Sequence, residues 1–184
     1  ADVLSNSWGG GAPSSKIINA LERARRMGRA GRGCVIVAAT GNEAREVGFP
    51  ANVSGVLAVS ACNDKDEFKT PTSSDGEDWG SNFGPEVAVC APGVRNLTTD
   101  ISGGGGYAKG SYYALFNGTS SATPLVAGAA ALVLSANPSL REDAVRGIIC
   151  RTADKVAGGR FDNTGHSIQW GYGRLNVLNA VKAA

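Results

Sequence analysis

The sequence predicts an α/β domain, a three-layer structure with a parallel sheet covered by helices on both faces. Three observations carry this. The runs 34–39, 55–61 and 86–91 are continuously apolar rather than alternating, the mark of strands buried on both faces. Helical spacings separate and follow them, so strands and helices alternate. The 184 residues, 42% hydrophobic and 18% charged, suffice for one packed core and are too apolar for a disordered chain.

The elements follow in order. Residues 2–5 read as a short strand. Ser14 or Ser15 is a candidate N-cap, and Ile17, Ile18, Leu21, Ala24 and Met27 recur at helical spacing until Gly28 and Gly31 end the helix. The basic cluster Arg23, Arg25, Arg26, Arg29 and Arg32 falls at that helix's end, where the dipole favours cations, and reads as a solvated face. Three strands follow, the last closed by Pro92-Gly93. Residues 64–85 are polar and turn-rich. Their acidic groups, Asp64, Asp66 and Glu67 and then Asp75, Glu77 and Asp78, read as solvated loops without a metal-ligand pattern. Four glycines at 103–106 predict a mobile loop. Residues 119–136 are small and apolar all round, a helix expected to be buried. A second helix is expected from Pro138 to Cys150 with Glu142 and Asp143 in its first turn, and a short one over 175–184.

Composition excludes several classes. A net charge of +2 gives no bulk attraction to nucleic acid or membrane. No apolar run is expected to span a bilayer; 122–136 is too short and holds Pro124 and Gly128. The opening residues lack a charged and apolar leader pattern, so no signal peptide is expected there. Four cysteines without CxxC spacing and a single histidine, His166, argue against a His/Cys metal site, so no metal ligands are assigned. Cys34, Cys62, Cys90 and Cys150 are expected to be mostly buried free thiols, with one or two disulfides the alternative.

Three stretches carry chemistry. Asn117-Gly118-Thr119-Ser120-Ser121-Ala122-Thr123-Pro124 sets a hydroxyl in the first turn of an apolar helix, where unpaired N–H groups face a positive dipole end and can hold an oxyanion. Ala39-Thr40-Gly41-Asn42 follows a buried strand, at the end of the sheet where ligands bind. Asn6-Ser7-Trp8-Gly9-Gly10 follows another and offers backbone for an extended peptide. Each alone reads equally as a cap or a turn.

Together, and in this order, they resemble the subtilisin-like serine peptidases. Phe49-Pro50-Ala51, Ser81-Asn82-Phe83-Gly84, Val89-Cys90-Ala91-Pro92-Gly93 and Trp170-Gly171-Tyr172-Gly173-Arg174-Leu175-Asn176 match further family landmarks, so the resemblance covers essentially residues 1–184. It implies a subtilisin-like fold, incomplete at its N-terminal side, with residues 1–184 as the C-terminal portion of the catalytic domain. It implies Ser120 as nucleophile, Asn42 as oxyanion donor, and Ser7, Trp8, Gly9, Ala39, Thr40 and Gly41 as the wall for a polypeptide substrate. It makes structural calcium a candidate cofactor, with none certain, and implies an extracellular or cell-envelope setting. The family's aspartate and histidine precede the serine in the chain. Here the only histidine follows Ser120, and His166 is expected to be a surface-loop residue outside catalysis. The expectation is a chain inactive alone that needs a complementary N-terminal fragment or self-association. The alternative is a peptide-binding pseudo-peptidase or interaction module.

Overall fold

The computed structural model describes all 184 residues. Its elements are β1 (Val3–Asn6), α1 (Ser15–Gly31), β2 (Val35–Ala39), β3 (Leu57–Cys62), β4 (Val87–Pro92), β5 (Asn96–Thr99), β6 (Tyr112–Phe116), α2 (Thr119–Ala136), α3 (Glu142–Arg151) and α4 (Val177–Lys182). Strands β1 to β4 form one parallel sheet in that spatial order, and β5 and β6 form a separate antiparallel pair.

The apolar runs do what continuous hydrophobicity requires: β2 and β3 are buried at every residue. Their side chains divide by the strand period of two. Val35, Val37, Leu57, Val59 and Val89 pack with Val126, Val133, Ile148 and Ile149 of α2 and α3. Ile36, Ala38, Ala58 and Val87 pack on the other face with Leu21 of α1. The three layers are thus α1, the sheet, and α2 with α3 and α4. Strand β1 pairs only with β2, so it lies at the sheet's edge and is only half-buried.

Several local expectations change. Helix α1 breaks at Gly28, whose ψ of 161° ends the regular turns, and Arg29 and Ala30 continue in the left-handed region. The arginine cluster is not simply a solvated face. Arg29 donates to Asp2 Oδ1, Gly33 O, Leu140 O and Pro138 O, and its side chain is 6% exposed. Arg25 pairs with the buried Glu142 at 3.3 Å. Helix α3 starts at Glu142 instead of Pro138, because Asn137 Oδ1 accepts Ser139 N and Oγ and holds the chain in an Asx turn. Helix α4 starts at Val177, where Asn176 Oδ1 caps Asn179 N at 2.9 Å.

Helix α2 is 18 residues long and apolar, enough by length and composition to cross a bilayer, but half of it is buried inside this fold. Its burial is one-sided. Val126, Ala130 and Val133 are inaccessible, whereas Leu125 and Leu132 are 43% and 52% exposed. The 103–106 glycines lie in the exposed connection of the β5–β6 pair, a hairpin that its weak alternation hid.

The polar stretch before β4 holds the largest departure. Lys69 is wholly buried, its ammonium 2.9 Å from Asp75 Oδ1 and donating to Thr70 O, Glu77 O and Ser73 Oγ. Burial by itself would raise the Asp75 carboxyl, but hydrogen bonds from Ser73 and Lys69 outweigh it and hold the group far below the usual carboxylate range. Glu67 accepts from Ser74 N and Asn63 Nδ2, and Asp66 pairs with Arg174. Protein donors thus take oxygens of Asp66, Glu67 and Asp75.

The four cysteines are free thiols; Cys34, Cys62 and Cys90 are buried, and burial pushes Cys150 up to about 11.

Candidate active site

The carboxyl ends of β1 and β2 open into a cleft of about 230 Å³, lined by Ser7, Trp8, Gly9, Ala39, Thr40, Gly41, Asn42 and Ser120. Every residue nominated from the sequence therefore reaches one site. Glu43, Arg45, Phe49, Asn82 and Thr119 line it as well. Glu43 and Arg45 were not nominated because a charged loop reads as solvent-facing; Asn82 and Phe49 stood within quoted motifs but carried no assigned role.

The nucleophile candidate sits where the sequence put it. Gly118 precedes α2 with φ +110°, a conformation that a side chain rarely adopts. Thr119 and Ser120 then occupy the first turn. The Ser120 N–H has no acceptor within the chain, as expected of a helix start. Ser120 Oγ donates to Ser7 O at 3.3 Å, and Ser7 Oγ donates back to Ser120 O at 3.0 Å. The serine is thereby tied to the residue that follows β1.

Asn42 is oriented by Thr119. The Thr119 N–H lies 2.8 Å from one side-chain atom of Asn42, and the Thr119 hydroxyl lies 2.9 Å from the same atom. A backbone N–H only donates, so the facing atom is Oδ1 and the amide Nδ2 is turned outward. Nothing in the chain accepts from Nδ2. A Cβ placed on Gly118 would lie 3.4 Å from Asn42 Nδ2, 3.5 Å from Asn42 Oδ1, which Thr119 already occupies, and 3.6 Å from Ser120 N. Two unspent donors therefore border one point, and the absence of a side chain on Gly118 leaves that point open.

The rest of the wall is held by ordinary contacts. Trp8 is half-exposed, meets Phe49 edge-on at 6.4 Å, and donates Nε1–H to Asn6 Oδ1 at 3.2 Å. Thr40 is buried, and its hydroxyl has no partner.

No histidine or aspartate stands beside Ser120. His166 Nε2 lies 2.8 Å from Val87 O, at the amino end of β4, and its ring meets Tyr172 edge-on. The cleft is at the opposite end of the parallel strands.

Comparisons with known proteins give this architecture a family. The subtilase family model matches residues 1–173. A calcium-dependent protease of Nostoc sp. is 38% identical over 222 aligned positions, covering all of this chain and 32% of that protein. Subtilisin DY of Bacillus licheniformis is 36% identical, covering 98% of this chain and 57% of that protein. Among solved structures, the prenylagaramide maturation protease PagA superposes with a TM-score of 0.75 at 26% identity, over all of this chain and 62% of that one. The chain thus spans less than two thirds of the proteins it matches. By family model, relatives and architecture alike, it belongs to the subtilase family.

Proposed function

We propose that the protein containing these residues is a serine endopeptidase in which Ser120 attacks a peptide carbonyl and carries the acyl group. The observation that carries this reading is the pair of free donors, Asn42 Nδ2 and Ser120 N–H, bordering the open point above Gly118. A carbonyl oxygen placed there gains negative charge when the tetrahedral intermediate forms, and donors fixed in advance stabilise that charge most. Ser7, Trp8 and Gly9 on one side and Ala39, Thr40 and Gly41 on the other hold the polypeptide substrate in an extended form. A protein that only binds peptide has no need of both a hydroxyl and two spare donors at one point, which disfavours the pseudo-peptidase alternative.

The histidine base and its aspartate come from a companion segment outside residues 1–184, either an N-terminal part of the same protein or another chain. The edge position of β1 and the bare Leu125–Leu132 face of α2 are where that segment packs. The family setting favours an extracellular or cell-envelope location.

A fluorophosphonate probe tests the reading. The full-length protein should be labelled stoichiometrically on Ser120, and Ser120→Ala should abolish labelling. The 184-residue chain by itself should remain unlabelled, since an unassisted serine hydroxyl is a poor nucleophile. Labelling of that chain alone would overturn the need for a companion; an unlabelled Ser120 in the full-length protein would overturn the peptidase.

A further inference from the structure

The Ser81-Asn82-Phe83-Gly84 motif has no part in the chemistry above, yet Asn82 is 1% exposed beneath the cleft and is the most heavily bonded side chain near it. Its Oδ1 accepts Glu43 N at 2.9 Å and Arg45 N at 3.2 Å. Its Nδ2 faces Thr40 O at 3.1 Å, Glu43 Oε2 at 2.9 Å and Glu46 O at 3.2 Å. Its own backbone N–H donates to Gly41 O at 2.9 Å. Since Glu43 N and Arg45 N only donate, the amide has one orientation, and both its ends are fully used. The fit is tight: a Cβ on Gly41 would lie 2.3 Å from Nδ2.

These bonds fall on both sides of Asn42 and none falls on Asn42 itself. Thr40 and Gly41 are held before it, Glu43, Arg45 and Glu46 after it. The loop leaving β2 pairs with the 80–83 segment only at isolated bridges, through Ala44 N to Gly80 O, Phe83 N to Arg45 O and Val47 N to Phe83 O, and the Asn82 amide fills the gap between them. The held loop then delivers the Asn42 side chain to Thr119. Glu43 adds a link, its Oε2 accepting both Asn42 N at 3.1 Å and Asn82 Nδ2.

We propose that Asn82 is a positioning residue for the oxyanion donor: it fixes the 40–46 loop so that Asn42 Nδ2 faces the point above Gly118. This rests on the peptidase reading of the site. Asn82→Asp keeps the shape, removes the Nδ2 donations and sets a second carboxylate against Glu43. The loop shifts, and Asn42 loses its aim while the walls that bind substrate persist.

The test is a double-mutant cycle in the full-length protein with a peptidyl p-nitroanilide. N82D should lower kcat by about 10–100-fold, the scale of a misplacement near 1 Å, with KM within about threefold. In the N42A background the same substitution should cost less than about twofold, because the group it positions is gone. An equal loss in both backgrounds, or an unchanged kcat for N82D, would overturn the proposal. Should N82D fail to fold, Glu43→Ala serves, since Glu43 is exposed. Its loss in kcat, about threefold, must likewise vanish in the N42A background, and persistence there overturns the proposal. An unchanged kcat for N42A alone would instead remove the oxyanion reading underneath, so the two failures are distinguishable.

Discussion

The carboxyl end of the sheet and its β1 edge are built differently. At the carboxyl end, polar groups are paired in dense webs: Asn82 binds the 40–46 loop, Thr119 binds Asn42, and Lys69 gathers the turns of the 69–77 segment. At the edge, β1 has one neighbour, and the outer face of α2 leaves Leu125 and Leu132 uncovered. The Ser120 side of the cleft is therefore held by hydrogen bonds, with only Asn42 Nδ2, the Ser120 N–H and the Thr40 hydroxyl unpartnered, while the apolar packing beside it stays open. A polar web closes locally because each donor needs only one acceptor. An apolar face closes only when another surface arrives.

The largest expected effect breaks the web. Lys69 and Asp75 are 0% and 3% exposed in their side chains. Lys69→Met leaves the carboxylate and two carbonyls without their cation and should cost about 3–5 kcal/mol in urea unfolding. A cost below about 1 kcal/mol would mean that the web is not what holds this end. The pH dependence has a definite sign. The Asp75 carboxyl is held down in the folded state, so its stabilisation is complete above its unfolded value near ~3.9 and is lost as pH falls toward the folded one. Stability should decline below about pH 4, and Asp75→Asn should flatten that decline.

A smaller effect tests the open side. In the full-length protein, Leu132→Asp should cost about 2–3 kcal/mol if a companion segment covers α2. At a true surface the cost is within about 0.5 kcal/mol, and that result would dissolve the contrast between the two regions. The smallest concerns a flaw in the finished side. Thr40→Val removes a buried hydroxyl without a partner and should raise stability by about 1 kcal/mol in thermal unfolding.

The strands at 35–39 and 57–62 were legible because burial on both faces leaves no room for alternation. The meeting of Ser120 and Asn42 in one cleft was legible because both stand in short motifs. Lys69 was not, because a lysine amid 64–85 has the composition of a solvated loop. Two of its four acceptors are backbone carbonyls, which no side-chain pattern reports. Arg29 was missed for the same reason. Helix α2 announced its apolar character and hid its exposed face, since a uniformly apolar helix carries no directional signal. In the β5–β6 hairpin Leu97, Tyr112, Leu115 and Phe116 are all exposed, so its apolar residues do not mark an inward face.

The bond from Thr119 to Asn42 spans 77 residues of sequence, and the bonds between Ser7 and Ser120 span 113. No short segment brings these groups together; they meet only after the parallel strands have closed long loops, an entropic cost met late in folding. A nascent or partly unfolded molecule thus carries the serine and the amide as strangers. Their meeting arrives with the folded state and leaves with it, so no unfolded or half-folded form of the chain holds the two groups at one point.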